Sequence, residues 1–317
     1  MNTDVSVVMP AFNASATIAQ SIESALNQTA PPLEIIVVND ASTDDTGSIV
    51  AEMAKQHPSL RVIEMKQNCG LSAARNTAIR EAKGSWIALL DSDDLWAEDK
   101  LSDQLAFAAG NPDVDMIGCF YREMFDSSIG AVRREFFWPS ACLIKKSVAL
   151  DVPFNPEWVA SEFPEFLSRF DVMYKKDGVP KPLMFYRLNL TGIAHRSFLR
   201  ERMAWKLASE NARRRKNGSP EISYSELEDW YRRSFPWTTR LRKGISWRGD
   251  RLLRESLFHA KKGQLLRACL LGLAGTLLNP MSLATKWRRL ASLGKETSPQ
   301  STLQTDQKTE AQKNIAA

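Results

Sequence analysis

Cysteine is scarce in this 317-residue chain, which carries four cysteines that stand far apart: Cys69, Cys119, Cys142 and Cys269. No CxxC pair and no metal-type spacing occurs among them. This usage predicts a reducing compartment and argues against a structural zinc site. The sequence also lacks GxGxxG and GxxxxGK followed by Ser or Thr, which counts against dinucleotide-dependent oxidoreductases and P-loop enzymes.

Long apolar runs are lacking as well. The N-terminus has no basic region followed by an apolar segment, so we expect no secretion signal. The run from Leu265 to Leu278 has 14 residues and is interrupted by Arg267, whereas a spanning helix needs about 20. Because Lys286–Arg289 follows, the region 263–290 suits the interface of an anionic inner leaflet. A helical hairpin that closes the core is the alternative.

Charge is distributed unevenly along a chain of ordinary composition, with 44% hydrophobic and 25% charged residues. Residues 1–125 carry 8 basic and 18 acidic side chains, and residues 126–317 carry 34 basic and 19 acidic ones. An acidic first part suits a cation site, and a basic second part suits phosphates or a lipid surface. Solvated helix faces would also explain the basic part. We expect no nucleic-acid partner, since only this charge would favour one.

Short apolar runs alternate with segments of helical spacing over the first 120 residues. The runs typical of buried strands cover residues 5–13, 33–40, 61–65, 86–91 and 115–120, and the helical segments cover 15–28, 42–56, 71–82 and 97–110. This alternation predicts an α/β protein with a mostly parallel, doubly wound, Rossmann-like sheet. In such sheets ligands bind at the carboxyl ends of the strands.

Acidic residues cluster after the strand at 86–91, where Asp91, Asp93 and Asp94 fall within four positions. Carboxylates two positions apart on a turn can reach one hard divalent cation. The alternative is that Ser92, Asp93 or Asp94 caps the next helix. Capping needs one acid, so the cluster favours a cation site.

Two further strand ends carry polar groups. Asp40 ends the second strand, where a carboxylate can accept a hydrogen bond from a nucleobase or a ribose hydroxyl. Gly70 precedes a helix whose first turns carry Arg75 and Asn76. A helix N-terminus with an arginine favours a phosphate.

Four motifs occur in order and together resemble the signature series of the family 2 glycosyltransferases: Pro10-Ala-Phe-Asn13, Val38-Asn-Asp-Ala-Ser-Thr-Asp44, Asn68-Cys-Gly-Leu-Ser-Ala-Ala-Arg-Asn76 and Asp91-Ser-Asp-Asp94. These are inverting enzymes of the GT-A fold. The resemblance implies a nucleotide-sugar donor, preferably of the UDP type, with Mn²⁺ or Mg²⁺ as cofactor. It also implies an oligosaccharide or lipid-linked acceptor in surface-polysaccharide synthesis.

The resemblance also assigns roles to residues. Asp91 and Asp93 would be the metal-binding DxD pair, with Asp94 as an additional candidate. The residues implied in nucleotide-sugar binding are Pro10, Ala11, Phe12, Asn13, Asp40, Gly70, Arg75, Asp91 and Ser92.

The catalytic base is where the sequence departs from the family. An acidic Glu-Asp pair with an arginine six positions after the Asp is usual, and here Glu162 and Arg169 match while Phe163 replaces the Asp. Glu162 can serve as the base, or Glu165 can serve instead if Pro164 turns the helix inward. In the third alternative, transfer is weakened or lost, and the chain is a nucleotide-sugar-binding partner in a glycan assembly complex.

The rest of the chain is assigned more coarsely. The segment 185–197 resembles the family's closing segment, with Asn189 where a histidine is usual and His195 as a possible additional site residue. The Gln-x-x-Arg-Trp motif of processive members is absent, which favours transfer of a single sugar. We predict a GT-A domain over 1–197 (1–125 binding the nucleotide sugar, 126–197 the acceptor), a helical extension over 198–295 and a disordered tail over 296–317. The expected location is cytoplasmic, with peripheral contact to the inner membrane.

Overall fold

The computed structural model describes residues 3–125, 128–159, 161–188, 198–261 and 264–279. His195 and the tail predicted at 296–317 lie outside these residues. The chain divides into two compact units, which hold residues 1–187 and 188–295.

The described residues of the first unit form one sheet of nine strands. The strands are β1 Val5–Ala11, β2 Glu34–Asn39, β3 Leu60–Glu64, β4 Trp86–Leu89, β5 Leu95–Trp96, β6 Met116–Phe125, β7 Ser128–Arg133, β8 Leu143–Lys145 and β9 Lys176–Arg187. Their order across the sheet is β3-β2-β1-β4-β8-β6-β9-β5, and β7 pairs with β6. The neighbours in β3-β2-β1-β4 are parallel, and β8 joins β4 and β6 in antiparallel pairs.

The helices of this unit follow the predicted alternation. They are α1 Ile18–Leu26, α2 Thr46–Gln56, α3 Leu71–Glu81, α4 Lys100–Gly110, α5 Lys146–Asp151 and α6 Glu162–Phe170. The predicted alternation of strands and helices is confirmed for the part of the chain before β6. Beyond β4 the sheet is mixed, because β8 reverses direction between β4 and β6.

The sheet is covered on both faces because its strands are apolar on both sides. Along β1, Val7 and Met9 belong to one buried cluster with Ile18 and Ile22 of α1, while Val8 belongs to a second cluster. The second cluster also contains the buried aromatic side of α6 and part of α3. Burial on both faces is typical of strands in α/β proteins.

The register of the parallel strands brings their carboxyl ends to one edge. Ala11 lies opposite Asn39 in β2, and Val8 lies opposite Leu89 in β4. Residues that follow β1, β2 and β4 therefore lie next to one another at this edge. This edge is where the sequence predicts ligand binding.

The second unit is helical in its described part. Its helices are α7 Phe198–Lys216, α8 Leu227–Ser234, α9 Trp237–Lys261 and α10 Leu265–Leu278. None of the helices that the structure describes has both the length and the apolarity needed to cross a bilayer.

Candidate active site

Arg75 lies near the start of α3 and is fully buried. Its Nη1 donates a hydrogen bond to Glu162 Oε1 at 2.8 Å, and its Nη2 donates to Asp91 Oδ1 at 2.5 Å. Burial alone would lower the pKa of Arg75, but the two carboxylates raise it above its ordinary value. Its guanidinium also lies over the ring of Phe154, 5.2 Å from the centroid. We call Arg75, Asp91 and Glu162 the arginine bridge.

The bridge joins two elements that are far apart in sequence. Asp91 follows β4 at the strand-end edge, and Glu162 begins α6 on the other side of Arg75. Each carboxylate keeps one oxygen that does not bind Arg75. For Glu162, Oε2 has no hydrogen-bond partner within the described ranges. The bridge therefore presents two oriented carboxylates around one buried cation.

The acidic loop, Asp91–Asp94, is held by hydrogen bonds from several segments. The hydroxyls of Thr17 and Ser21 on the α1 side donate to the Ser92 carbonyl at 2.8 and 3.0 Å. The Asp91 N–H donates to Ser140 Oγ at 3.0 Å, and that hydroxyl donates to Asp94 Oδ2 at 2.6 Å. These contacts orient the loop before any ligand arrives.

Arg187, at the end of β9, holds the loop from another side. Its backbone N–H donates to Asp94 Oδ1 at 3.1 Å, and its Nε donates to the Asp93 carbonyl at 2.8 Å. Both oxygens of the Asp94 carboxylate are thus bound inside the protein, and the side chain is 1% exposed. Asp94 therefore positions the loop, and Asp91 and Asp93 are the carboxylates left for a ligand.

Burial and the crowding of negative charge together raise the pKa values of two carboxyl groups in the loop. Burial, with repulsion from Asp91, raises the pKa of Asp93 to about 6. Burial, with repulsion from Asp93 and Asp91, also raises the pKa of Asp94. A bound cation would relieve this repulsion.

The oxygen donors of the loop suit a divalent cation. Asp91 and Asp93 offer hard oxygen donors that suit Mg²⁺ or Mn²⁺. Within the described part of the chain, no three His, Cys, Asp or Glu side chains come together as a metal site. Two carboxylates fit a cation that takes its remaining oxygens from water and a phosphorylated substrate, the usual arrangement for Mg²⁺ in phosphate chemistry.

Asp40 fixes the turn that enters α3. Its carboxylate is 3% exposed and accepts the N–H groups of Cys69 and Gly70, both at 2.8 Å. Gly70 has a φ of +88°, a conformation that favours glycine. Both oxygens of Asp40 thus orient this turn, and a contact with a ligand would use the second lone pair of an oxygen that is already hydrogen-bonded.

The segment after β1 combines a fixed turn with an exposed ring. Pro10 and Ala11 are buried in β1, whereas the Phe12 side chain is 48% exposed. The Asn13 N–H donates to Ser42 Oγ at 3.0 Å, and Asn13 Oδ1 accepts the Thr43 N–H at 2.8 Å. The loops after β1 and β2 are thereby tied together next to the exposed Phe12.

Helix α6 separates its acidic and aromatic residues by face. Phe163 is buried and stacks on Phe166 with centroids 5.8 Å apart, so its ring belongs to the core. Glu162 points instead to Arg75. Glu165 is buried and accepts two hydrogen bonds from Arg169, at 2.6 and 2.8 Å.

The structure thus brings Arg75, Asp91 and Glu162 into direct contact, while Glu165 and Arg169 form a separate ion pair. Ser140 and Arg187 also position the loop, and our reasoning from sequence did not identify either as a site residue. Ser140 lies in a short 3₁₀ turn, Pro139–Ala141, just before β8. For Arg187, the sequence offers one signal: the residue lies in the segment 185–197, which resembles the closing segment of the family.

The fold and the strand-end site define an α/β glycosyltransferase domain of the GT-A type. Residues 6–155 match the family model "Glycosyl transferase family 2". Over these residues the chain belongs to glycosyl transferase family 2, as the four motifs predict.

Similar proteins of known name include two from bacteria. The UDP-Glc:alpha-D-GlcNAc-diphosphoundecaprenol beta-1,3-glucosyltransferase WfaP of Escherichia coli is 45% identical over 105 residues, 32% of this chain and 40% of that protein. The succinoglycan biosynthesis protein ExoO of Rhizobium meliloti is 45% identical over 98 residues, 31% of this chain and 28% of that protein. The chain spans less than half the length of the curated relatives that it matches.

Solved structures share the fold at low identity. TarS 1–349 of S. aureus in complex with UDP-GlcNAc aligns with a TM-score of 0.54 at 18% identity, covering 88% of this chain and 93% of that one. The mannosyltransferase PcManGT of Pyrobaculum calidifontis, in complex with GDP-Man and Mn²⁺, aligns with a TM-score of 0.55 at 18% identity, covering 89% and 88%. These alignments confirm the predicted fold class.

The role of Ser140 can be tested by stability. Ser140→Ala leaves the buried N–H of Asp91 and one oxygen of Asp94 without their partner, which should lower the free energy of unfolding by about 1–3 kcal/mol. Urea denaturation measures this change. Ser48→Ala removes an exposed hydroxyl and should change it by less than about 0.5 kcal/mol. An unchanged urea midpoint for Ser140→Ala would show that this hydroxyl does not hold the acidic loop.

Proposed function

We propose that this protein is an inverting, non-processive glycosyltransferase that moves one sugar from a nucleotide diphosphate sugar to a glycan or lipid-linked acceptor. The observation that carries the proposal is the arginine bridge. It places a carboxylate of the acidic loop and a carboxylate of α6 on the two sides of one buried cation. Transfer from a diphosphate needs one group near the leaving phosphates and another near the acceptor hydroxyl.

The donor side consists of the residues at the strand ends. Asp40 and the exposed ring of Phe12 would hold the nucleoside, and the remaining residues of the nucleotide pocket would be Pro10, Ala11, Asn13, Gly70, Arg75 and Ser92. WfaP is named for UDP-Glc, and TarS was solved with UDP-GlcNAc. We therefore propose a UDP-sugar as the donor.

A divalent cation, Mn²⁺ or Mg²⁺, would be held by Asp91 and Asp93. When bound, it neutralises negative charge that develops on the departing diphosphate. One structural neighbour was solved with GDP-Man and Mn²⁺. Asp94 supports these two side chains through Ser140 and Arg187 and is not proposed as a metal ligand.

Glu162 is the proposed base. Arg75 fixes its Oε1, and Oε2 would take the proton from the acceptor hydroxyl. The hydroxyl oxygen then forms a bond to the anomeric carbon, while the bond from that carbon to the diphosphate oxygen breaks. The diphosphate leaves with the electron pair, and attack from the opposite face inverts the anomeric centre. Glu165 is a weaker candidate because Arg169 occupies both of its oxygens.

The proposed setting is synthesis of a surface polysaccharide on the cytoplasmic face of the inner membrane, with peripheral contact to the bilayer. WfaP is named for a diphosphoundecaprenol-linked acceptor, and ExoO is named for succinoglycan biosynthesis. Both names support a lipid-linked or oligosaccharide acceptor here.

Removal of the base should affect the chemical step. Glu162→Gln keeps the size of the side chain but cannot accept the proton, so kcat should fall by roughly 10²–10⁴ while the KM of the donor changes little. Release of UDP from a UDP-sugar in the presence of acceptor measures both. Glu165→Gln is the matched control and should keep kcat in the fraction that remains folded.

Phe163→Asp distinguishes transfer from binding alone. Because Phe163 lies in the core, an Asp there should destabilise the fold by several kcal/mol and should add no activity. If the unchanged protein bound donor without transfer and Phe163→Asp created transfer, the natural protein would be a binder that does not transfer.

Full activity in Glu162→Gln would contradict the assignment of the base.

Removal of the cation tests the donor side. With Mn²⁺ present, the affinity for a UDP-sugar should exceed the affinity in excess chelator by at least about tenfold, because a cation held by Asp91 and Asp93 would neutralise charge on the diphosphate. Calorimetric titration measures both affinities. Asp93→Asn should abolish the difference, whereas Asp94→Asn should lower stability and keep it. Equal affinity with and without chelator would contradict the metal site.

A further inference from the structure

Helix α10 carries its large apolar residues on the side that faces solvent. Four leucines expose between 61 and 84% of their surface, and they recur at intervals of four, three and four residues: Leu266, Leu270, Leu273 and Leu277. This spacing places them on one side of a helix. We call them the leucine face.

The opposite side of α10 is built from small residues that pack on α9. A Cβ added to Gly275 would lie 2.7 Å from Leu253 Cγ and 2.9 Å from the carbonyl oxygen of Gly249. A Cβ added to Gly272 would lie 2.9 Å from Ser256 Oγ. The two helix backbones therefore approach closely, and larger residues do not fit between them.

Polar contacts complete this packing. The Ser256 hydroxyl donates to the carbonyl of Ala268 at 2.6 Å, and Asn279 Nδ2 donates to Asp250 Oδ1 at 3.0 Å. Together α9 and α10 form a hairpin in which glycines, polar groups and the buried Leu253 lie between the helices and the leucine face lies outside. Small residues between helices with leucines outside are typical of helices in lipid.

The neighbouring helix supplies positive charge. Helix α9 carries seven Lys or Arg residues and two acidic ones. It also exposes apolar residues at intervals of four, namely Trp237, Leu241 and Ile245. Apolar residues, a tryptophan and an excess of basic side chains are the composition of a helix that lies at an anionic membrane surface.

We propose that the α9–α10 hairpin inserts its leucine face into the headgroup and acyl boundary of an anionic bilayer. With 14 residues, α10 is about 21 Å long, which is too short to cross a hydrocarbon core of about 30 Å. It therefore lies along the surface. A second copy of the chain is a less suitable occupant, because the leucine face covers only two heptads and a stable coiled coil needs about three or four.

This inference deepens the membrane contact of the proposed function and requires no transfer chemistry. The surface would hold the protein beside a lipid-linked acceptor. Binding to vesicles and binding of a UDP-sugar are separate measurements, so either proposal can fail while the other stands.

Cys269 offers a probe next to the leucine face. Of the cysteines, Cys69 and Cys269 are exposed and the other two are buried. In a full-length Cys69→Ser background, an environment-sensitive maleimide dye on Cys269 should shift to shorter wavelength on vesicles of phosphatidylglycerol and phosphatidylcholine. Vesicles of phosphatidylcholine alone should give a much smaller shift, and added salt should weaken the binding.

Substitution of exposed leucines tests the leucine face without changing the core. Leu270→Ser with Leu273→Ser should reduce partitioning, measured by vesicle sedimentation of the unlabelled protein, by at least about tenfold. Leu150→Ser, at an exposed leucine of α5 in the first unit, is the matched control and should partition like the unchanged protein. Both variants should keep the unfolding midpoint and the affinity for a UDP-sugar.

Three outcomes would overturn the proposal: no binding of the unchanged protein to anionic vesicles, full binding by the double variant, or an equal loss in Leu150→Ser. A protein that is dimeric in solution, becomes monomeric in the double variant and ignores vesicles would make the leucine face a contact between copies.

Discussion

The buried guanidinium of Arg75 is the interaction on which the rest of the site depends. A charge without solvent is costly unless it is paired and hydrogen-bonded, and here two carboxylates meet it within 2.8 Å. Those carboxylates come from the end of β4 and the start of α6. The ion pair therefore sets the distance between the acidic loop and the proposed base, and packing of Phe154 against the guanidinium limits its movement.

The acidic loop shows how a fold accommodates repelling charges where function needs them. Asp94 is held by Ser140 and Arg187, so one of the three carboxylates becomes part of the scaffold. The other two remain at the open edge, where burial and repulsion raise the pKa of Asp93 to about 6. A loop whose backbone is already fixed and whose carboxylates repel one another is prepared for a cation, since little rearrangement is needed when one binds.

Sequence alone predicted the part of the fold that depends on local patterns. The strands from β1 to β4 are short apolar runs with helices between them, and their motifs fall at the strand ends. A strand near residues 140–144 is suggested by the sequence, but the reversed direction of β8, Leu143–Lys145, has no local signal, because it is set by pairing with β4 and β6. Ser140 was missed for the same reason: its role depends on a contact 49 positions away. The orientation of Phe163 could not be predicted either. The motif shows only that an acid is replaced, whereas the burial of the ring depends on how α6 packs.

The most direct test of the account is the free energy of unfolding across a set of bridge variants, measured by urea denaturation. If Arg75 is held by both carboxylates, Arg75→Met should cost about 3–5 kcal/mol because it leaves two acids near the core unpaired. Adding Asp91→Asn and Glu162→Gln to Arg75→Met should then recover a large part of that loss, since neutral side chains no longer need a cation. If the losses in the free energy of unfolding from the three substitutions simply add, the triple variant will be the least stable. Arg75 then does not couple the two sides of the site, and the account is wrong.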